Sequence, residues 1–529
     1  MRPARAASGV PCLRPLARRR ASWHIGPPPI DTAGRRRVPA LAPRPPLVKR
    51  LALTPGTRLV AALLVLVGLS FAVTLATGYN ADALYVYSQA KDLIQLGSLR
   101  GWTFSAIPFT VPDLLIALPF AALVQNPRVY YLVAAPVQIV LLGAALSVWL
   151  SRTQGRRFDR TMLQFAIGAA FIVLLCGAAL HPFGYFAVQP LFILNYHGLA
   201  AICATVLAVV ACDDDFRMLR NHLTATLVAV ALLTASDFYF AFYFGAMLGA
   251  SLLLSRSLAL LPLVAAVGSL SGAVFVASYL LNPSLGVHIE ANAAIKAELG
   301  TGQVVSRMIG LMVVPTVLVL ILRLRGTLSR RSLILYVALV ATSAALAAGG
   351  LIKDRYGFRY LTILVPVSLV LFLEVVRAVP PRREAALLAA AAASVGAAVL
   401  VVSLKPTATL STYRDEIACI DAADRPGSTI VAEYWPAKIV FEGTGRRHNL
   451  VQVDGALHPR DWISNARWRS LHAGGRTTFV VTDQIAQQPL ARLARDTAAE
   501  TICGGRLLRI DRPPAELDDL KWAAPEAAD

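Results

Sequence analysis

The sequence predicts a polytopic α-helical membrane protein with about eleven transmembrane helices, followed by a small C-terminal extracytoplasmic α/β domain. Hydrophobic residues make up 56% of the 529 positions, and the mean hydropathy is +0.59. The apolar residues form runs of about 14 to 24, close to the roughly 20 helical residues that cross a bilayer. After residue 404 these runs stop, and short strand-like and helical segments alternate.

Residues 1–57 are predicted to be a disordered, basic, cytoplasmic tail. Thirteen Lys or Arg residues occur up to Arg58 against one acid, Asp31, so this segment supplies +12 of the formal net charge of +20. Such a composition cannot bury enough apolar surface to fold. We expect the tail to orient the first span and to attract anionic lipid, and not to bind nucleic acid.

The lengths of the apolar runs predict the spans, and the arginine-rich connections between the runs predict the orientation of the spans. Short arginine-rich connections at 151–160, 323–331 and 377–383 mark the cytoplasmic side. The predicted spans of the 58–404 membrane domain are 59–77, 129–150, 161–180, 198–211, 222–236, 238–254, 258–281, 308–322, 332–350, 360–376 and 385–404. The external segments are then 78–128, 181–197, the tight turn around Asp237, 282–307, 351–359 and everything after about 405, as expected for a multi-pass protein of the plasma (inner) membrane.

Residues 111–124 are apolar but are not counted as a span. The segment is short and contains Pro112, Asp113 and Pro119, and a crossing there would place the arginine-rich 151–160 connection outside. We therefore expect an external helix that lies in the membrane interface or packs among the spans.

Residues 405–529 are predicted to form the extracytoplasmic α/β domain, with strands near 429–432, 450–453, 478–481 and 506–510. Aromatic residues at 433–438 and 461–468 could stack on sugar rings or form the domain's core. No cysteines have metal-ligand spacing. Cys419 and Cys503 share this domain, so a disulfide and two unrelated buried thiols both stay open.

The first external segment places an acid beside the bilayer. Asp82 follows the first apolar run closely and lies among three tyrosines. A carboxylate there can accept a proton from an attacking hydroxyl. Asn80 or Asp82 could instead cap a helix, so both roles stay open. Asp113 is a second acid on the same external segment.

A basic cluster lies at the external end of another predicted span. Lys353, Arg355 and Arg359 occur within eight residues, together with Tyr356. Lysine and arginine can clamp a phosphate, and the positive-inside rule disfavours cations on this side unless they have a partner. Local pairing with Asp354 is the alternative.

Two further polar residues are candidates for substrate binding. Asp237 interrupts about 33 mostly apolar residues at 222–254, so it either faces a cavity or caps the second of two short spans. His197 closes the 181–197 segment after Asn195 and Tyr196. Rings with polar edges suit either sugar binding or the aromatic belt of a membrane interface.

This arrangement resembles the GT-C superfamily of integral-membrane glycosyltransferases, which includes the protein mannosyltransferases and the aminoarabinose transferases. The resemblance lies in the cytoplasmic start, the long first external loop with Asp82 right after the first span, the number of spans and the C-terminal external domain. It covers the architecture from about residue 55 onward. Family members commonly carry a tight pair of acids where this chain has Asn80-Ala81-Asp82.

The resemblance implies a polyprenyl-phosphate-linked sugar donor, an external glycan, lipid or protein acceptor, and inversion at the anomeric carbon. Asp82, the one residue at a family motif position, would be the general base, and Asp113 its partner. The cations Lys353, Arg355 and Arg359 would hold the donor phosphate, an assignment made by chemistry and side of the membrane. The sequence identifies no cofactor and leaves a divalent cation open.

Three other classes of function fit parts of this pattern. A transporter or lipid flippase would also be polytopic and would also hold a buried acid such as Asp237. A polysaccharide polymerase or ligase would share the lipid-linked donor, but would have its large loop between spans. A non-catalytic envelope-assembly protein is the third alternative. No serine-hydrolase, zinc-protease or nucleotide-binding motif occurs.

Overall fold

A computed structural model describes residues 53–76, 79–105, 107–179, 183–213, 216–255, 258–281, 299–378, 380–404, 412–423, 427–460, 463–472 and 475–511. Most of the predicted tail and most of the predicted 282–307 loop lie outside these residues.

The protein is predominantly helical up to residue 404. The α-helices are α1 Pro55–Ala76, α2 Tyr85–Leu96, α3 Leu115–Leu123, α4 Pro127–Ala134, α5 Val137–Gln154, α6 Phe158–Ala179, α7 Phe183–Val188, α8 Gly198–Asp213, α9 Arg217–Asn221, α10 Leu223–Ser236, α11 Tyr239–Ser255, α12 Leu261–Leu281, α13 Thr301–Leu324, α14 Arg330–Ala348, α15 Leu364–Val375 and α16 Pro381–Leu404. A 3₁₀ segment, Tyr356–Leu361, precedes α15.

Eight helical stretches in the described part of the chain are long and apolar enough to cross a membrane. They are Pro55–Ala76, Pro127–Gln154, Phe158–Gly177, Leu261–Leu281, Thr301–Leu324, Arg330–Ala348, Tyr356–Val375 and Arg383–Ser403. Each overlaps one of the eleven predicted spans. The other three predicted spans correspond to the shorter apolar helices Gly198–Cys212, Leu223–Ser236 and Tyr239–Ser255. The chain is therefore a polytopic helical membrane protein by length and composition of its helices.

The segment that the sequence analysis left out of the spans is also a short apolar helix, Thr110–Leu123. A cis peptide bond between Val111 and Pro112 lies within its first turn. Its start is tied to the end of α10, because the Phe109 N–H donates to the Ser236 carbonyl at 3.0 Å and the Val111 N–H to the Ser236 hydroxyl at 2.9 Å. The helix packs mainly against α2, and Leu115 and Leu123 are exposed, so both placements expected for this segment stay predictions.

The C-terminal region contains α17 Arg414–Ala423, α18 Tyr434–Gly443 and α19 Gln487–Thr497. Its strands are β2 Thr429–Glu433, β3 Asn449–Val453, β4 Ser464–Asn465, β5 Thr478–Val481, β6 Glu500–Ile502 and β7 Leu507–Ile510, preceded in the chain by β1 Trp102–Thr103. Five strands form one sheet in the order β3-β2-β5-β7-β6, parallel over the first three and antiparallel over the rest. A disulfide joins Cys419 of α17 to Cys503, next to β6. Of the two states left open for these cysteines, the disulfide is therefore the one observed.

The first loop after α1 folds onto this C-terminal region. β1 pairs with β4, with Trp102 opposite Asn465. Asp92 of α2 is fully buried and accepts hydrogen bonds from Arg446 at 2.6 Å, from Asn465 at 2.6 Å and from the Trp102 indole at 2.7 Å. A buried carboxylate is stable only when its lone pairs are satisfied. The β1–β4 pairing and the hydrogen bonds of Asp92 therefore hold the loop that carries Asp82 against the sheet region.

Candidate functional site

A cavity of about 650 Å³ lies where the first loop, the 189–197 segment, the 356–360 turn and the start of α18 meet. Its polar and aromatic lining comes from residues far apart in the chain, and includes Asn80, Asp82, Tyr196, His197, Tyr356, Arg359, Tyr434 and Trp435. Four of the eight predicted site residues are in this lining: Asp82, His197, Tyr356 and Arg359.

Asp82 stands at the start of a short 3₁₀ turn, Asp82–Leu84, and its side chain faces the cavity. Asn80 provides the cap, because its Oδ1 accepts from the Ala83 N–H at 3.0 Å. The Asp82 carboxylate is held instead by two tyrosines. Oδ1 accepts from the Tyr434 hydroxyl, and Oδ2 accepts from the Tyr196 hydroxyl at 3.3 Å. Of the two roles expected for Asp82, the geometry favours a group presented to a ligand.

The two tyrosines that hold Asp82 remain protonated donors. Burial raises the pKa of Tyr434 and of Tyr196 well above the usual value, and the neighbouring Asp82 carboxylate raises both further. Each phenol therefore keeps its proton at neutral pH and donates it to a carboxylate oxygen. A carboxylate oxygen has a second lone pair, so Asp82 can still accept a proton from a ligand hydroxyl.

Arg359 lines the same cavity from the turn that precedes α15. Its guanidinium lies over the Tyr196 ring at 5.7 Å and over the Tyr360 ring at 5.3 Å. The buried Nε has no hydrogen-bond partner, and no carboxylate of the described residues forms an ion pair with Arg359. The side chain is half-buried, and its charge is attracted by the Asp82 carboxylate although the two residues form no ion pair. An anionic ligand in the cavity would supply a direct ion-pair partner.

The rest of the predicted basic cluster does not line the cavity. Arg355 is exposed, with its guanidinium 5.0 Å from the Tyr356 ring centre. The Lys353 carbonyl accepts from the Leu299 N–H at 3.1 Å. Asp354 accepts from the Gly357 N–H at 2.7 Å and so shapes the turn that presents Arg359.

His197 faces the cavity and is oriented from behind by Asp237. Its Nδ1 is 2.9 Å from the Asp237 Oδ2, and both side chains are buried. The other Asp237 oxygen accepts from the Tyr239 N–H at 3.0 Å, at the start of α11. Asp237 therefore caps the start of α11, which is one of the two alternatives of the sequence analysis, and its other oxygen binds His197. Asp237 does not line the cavity itself.

Asp113, the predicted partner of Asp82, also lies behind the lining. Its buried carboxylate accepts from the Asn195 N–H at 3.0 Å. The Asn195 side chain in turn donates to the Asp82 carbonyl. Asp113 thus holds the segment that carries Tyr196 and His197, and it contacts Asp82 only through Asn195.

Sequence reasoning missed the contribution of α18. Tyr434 binds Asp82 across 352 positions of the chain, and Trp435 lines the cavity mouth with 38% of its surface exposed. Trp468, from the other aromatic stretch, is a core residue with 1% exposure. One sequence signal distinguishes the aromatic residues that line the cavity from the core residue. Tyr434 and Trp435 come directly after a strand, where parallel sheets often present ligand-binding residues.

Lys438, one turn further along α18, is fully buried behind the cavity wall. Its Nζ lies 5.2 Å from the Tyr85 ring centre and 5.0 Å from that of Tyr434, and it has no hydrogen-bond partner. Burial lowers the pKa of Lys438 to about 7, although Asp82 and Glu442 act in the opposite direction. The amine is therefore close to its midpoint of protonation at neutral pH.

Across the described ranges, no group of three or more His, Cys, Asp or Glu side chains is arranged to hold a metal ion. Comparisons with models of protein families, with curated proteins and with solved structures find no match to this chain.

Proposed function

We propose that this protein is an integral-membrane glycosyltransferase of the GT-C type, which moves a sugar from a polyprenyl-phosphate-linked donor to an extracytoplasmic acceptor. The observation that carries the proposal is the presence of Asp82 and Arg359 in one cavity. One is a carboxylate available to a hydroxyl, and the other is a half-buried cation without an ion-pair partner among the described residues.

The two residues have complementary roles in such a transfer. The acceptor hydroxyl gives its proton to Asp82 as its oxygen attacks the anomeric carbon of the donor sugar. The bond from that carbon to the phosphate oxygen breaks, and the electron pair leaves with the polyprenyl phosphate. Arg359 stabilises the charge that develops on this leaving group. Tyr196 lies between the two, since its ring contacts Arg359 and its hydroxyl binds Asp82.

Three observations support an external position for the site. Arg359 and Glu374 lie near opposite ends of the Tyr356–Val375 helix, roughly 20 Å apart at about 1.5 Å per residue. Glu374 pairs there with Arg156 and Arg331, from the two arginine-rich connections that the positive-inside rule assigns to the cytoplasm. The disulfide in the C-terminal region is typical of an oxidising, extracytoplasmic compartment.

The proposal is tested by sugar transfer in proteoliposomes. Purified protein would be given a panel of radiolabelled polyprenyl-phosphate monosaccharides and an extract of envelope glycans and lipids as acceptors. Asp82→Asn retains the shape of the side chain but removes the base, so transfer should fall about 100-fold or more. Asp496→Asn, at a half-exposed acid on α19, is the matched control and should leave the rate unchanged.

Undiminished transfer by Asp82→Asn would refute the assignment of the base. Lack of transfer by the wild type, together with movement of a fluorescent polyprenyl phosphate between leaflets, would favour the flippase alternative. The lipid-movement assay therefore runs beside the transfer assay on the same vesicles.

A further inference from the structure

A second cavity, of about 420 Å³, adjoins the first on the C-terminal region. Asp483 lines the second cavity, and the next residue, Gln484, lines the first. Neighbouring Cα atoms are about 3.8 Å apart, so the two cavities come close to each other at this turn. A ligand long enough to extend from Asp82 past Gln484 would therefore reach the second cavity.

The lining of the second cavity is polar throughout the described residues. It consists of Thr412, Tyr413, Glu416, Thr482, Asp483 and Arg506. Sites for apolar small molecules are lined mainly by hydrophobic side chains, so this lining favours a ligand rich in hydrogen-bonding groups.

The charges in this cavity select against anions. Glu416 and Asp483 are both acidic, and Arg506 is already engaged by Asp415 at 2.7 Å and by Glu416 at 3.6 Å. Tyr413 donates its hydroxyl proton to Asp483. Carboxylates accept hydrogen bonds and donate none, so they match a ligand that carries many hydroxyl groups and no negative charge.

Trp435 lies at the mouth of the first cavity, next to Tyr434, which holds Asp82. Its backbone N–H donates to Glu433 at 2.9 Å, which fixes the first turn of α18. The indole has 38% of its surface exposed and is therefore available to a ligand. The flat apolar face of a pyranose or furanose ring would cover it while its hydroxyls remain free.

We propose that Trp435, Gln484 and the second cavity form a binding groove for a neutral oligosaccharide acceptor. The growing end of the acceptor stacks on Trp435 and presents its hydroxyl to Asp82, and the preceding sugar units bind beside Asp483 and Tyr413. The inference rests on the proposed function and narrows its acceptor from glycan, lipid or protein to a glycan without acidic groups.

A glycan microarray with neutral and acidic oligosaccharides tests the groove directly. Full-length protein in nanodiscs should bind neutral glycans and not acidic ones. Trp435→Ala and Asp483→Asn should each weaken that binding about 10-fold, since a lost stacking contact or charged hydrogen bond costs about 1.5 kcal/mol. Both positions are exposed, so neither change should prevent folding. Trp435→Phe retains an aromatic face and should recover most of the affinity.

The controls separate this inference from the proposed function. Asp82→Asn should bind the same glycans while it loses transfer, and Asp496→Asn should behave as wild type in both assays. Any of three results would overturn the proposed groove. They are binding of acidic glycans, binding that Trp435→Ala does not weaken, and the absence of glycan binding. Full transfer by Asp82→Asn would instead overturn the proposed reaction, whatever the array shows.

Discussion

Replacing Lys438 by methionine should raise the stability of the protein at pH 7. Methionine fills a similar volume without an amine, and Lys438 is fully buried with no hydrogen-bond partner for its Nζ. Burial lowers the pKa of Lys438 from 10.5 to about 7. Since each pH unit is worth about 1.4 kcal/mol, burying this amine costs on the order of 5 kcal/mol at pH 7.

The effect should depend on pH in a defined direction. Between pH 7 and pH 10.5 the unfolded chain binds more protons at Lys438 than the folded protein does, so wild-type stability rises with pH. Below pH 7 the cost is fully present, and above pH 10.5 it vanishes. The advantage of Lys438→Met should therefore shrink steadily as the pH rises through this window.

Scanning fluorimetry of detergent-solubilised protein from pH 6 to pH 10 measures both effects as melting temperatures. Lys438→Arg is the matched control, because arginine keeps its charge at every pH of the series. It should melt below the wild type, and the difference should widen as the pH rises. Identical melting curves for wild type and Lys438→Met at all pH values would refute the reasoning, and would mean that the folded protein stabilises a charged ammonium at this position.

Three further substitutions test the packing around the site. Arg446→Met leaves the buried Asp92 without its cation, and should lower the unfolding free energy by about 3–5 kcal/mol, seen as a lower melting temperature. Cys419→Ser removes a disulfide between cysteines 84 positions apart, and should lower the unfolding free energy by about 4 kcal/mol. Dithiothreitol should lower the melting temperature of the wild type by the same amount as this substitution does. Gly198→Ala places a Cβ 2.0 Å from the Pro190 carbonyl oxygen, so it should abolish the monodisperse peak in size-exclusion chromatography. A normal peak would contradict that prediction.

The membrane-spanning helices could be predicted from the sequence because their signal is local. A run of about 20 apolar residues identifies a span whatever packs against it. The short helices Leu223–Ser236 and Thr110–Leu123 fall below that length, and the sequence analysis counted the first as a span and excluded the second. At Asp237 the polar residue marked a helix start, and only the fold reveals that it also binds His197.

The sequence identified candidate residues for the site, but it did not indicate the directions of their side chains. Asp82 and Arg359 were identified, and both line the cavity. Lys353 and Arg355 carry the same charge in the same stretch, yet the turn held by Asp354 presents only Arg359 to the cavity. No local pattern encodes that choice, because it depends on which way a 3₁₀ turn faces.

The sequence showed the aromatic residues of α18 directly after a strand, but it did not show that they meet Asp82. The contact of Asp92 in the first loop with Arg446 in the C-terminal region helps to bring Tyr434 and Lys438 close to Asp82. That contact joins positions 354 apart, and a single sequence contains no record of such a pairing. The buried amine of Lys438 would otherwise be taken for an ordinary solvated residue of an amphipathic helix.

A cryo-electron microscopy structure of the protein in nanodiscs, with added polyprenyl phosphate, tests the central claim most directly. The account predicts phosphate density in the 650 Å³ cavity, within hydrogen-bonding distance of the Arg359 guanidinium and on the same side as Asp82. Arg359→Gln should remove that density while leaving the fold intact. The account is contradicted if the phosphate binds outside this cavity. Such a site could lie at Lys353 and Arg355, or at the end of the helices that carries Arg156 and Arg331.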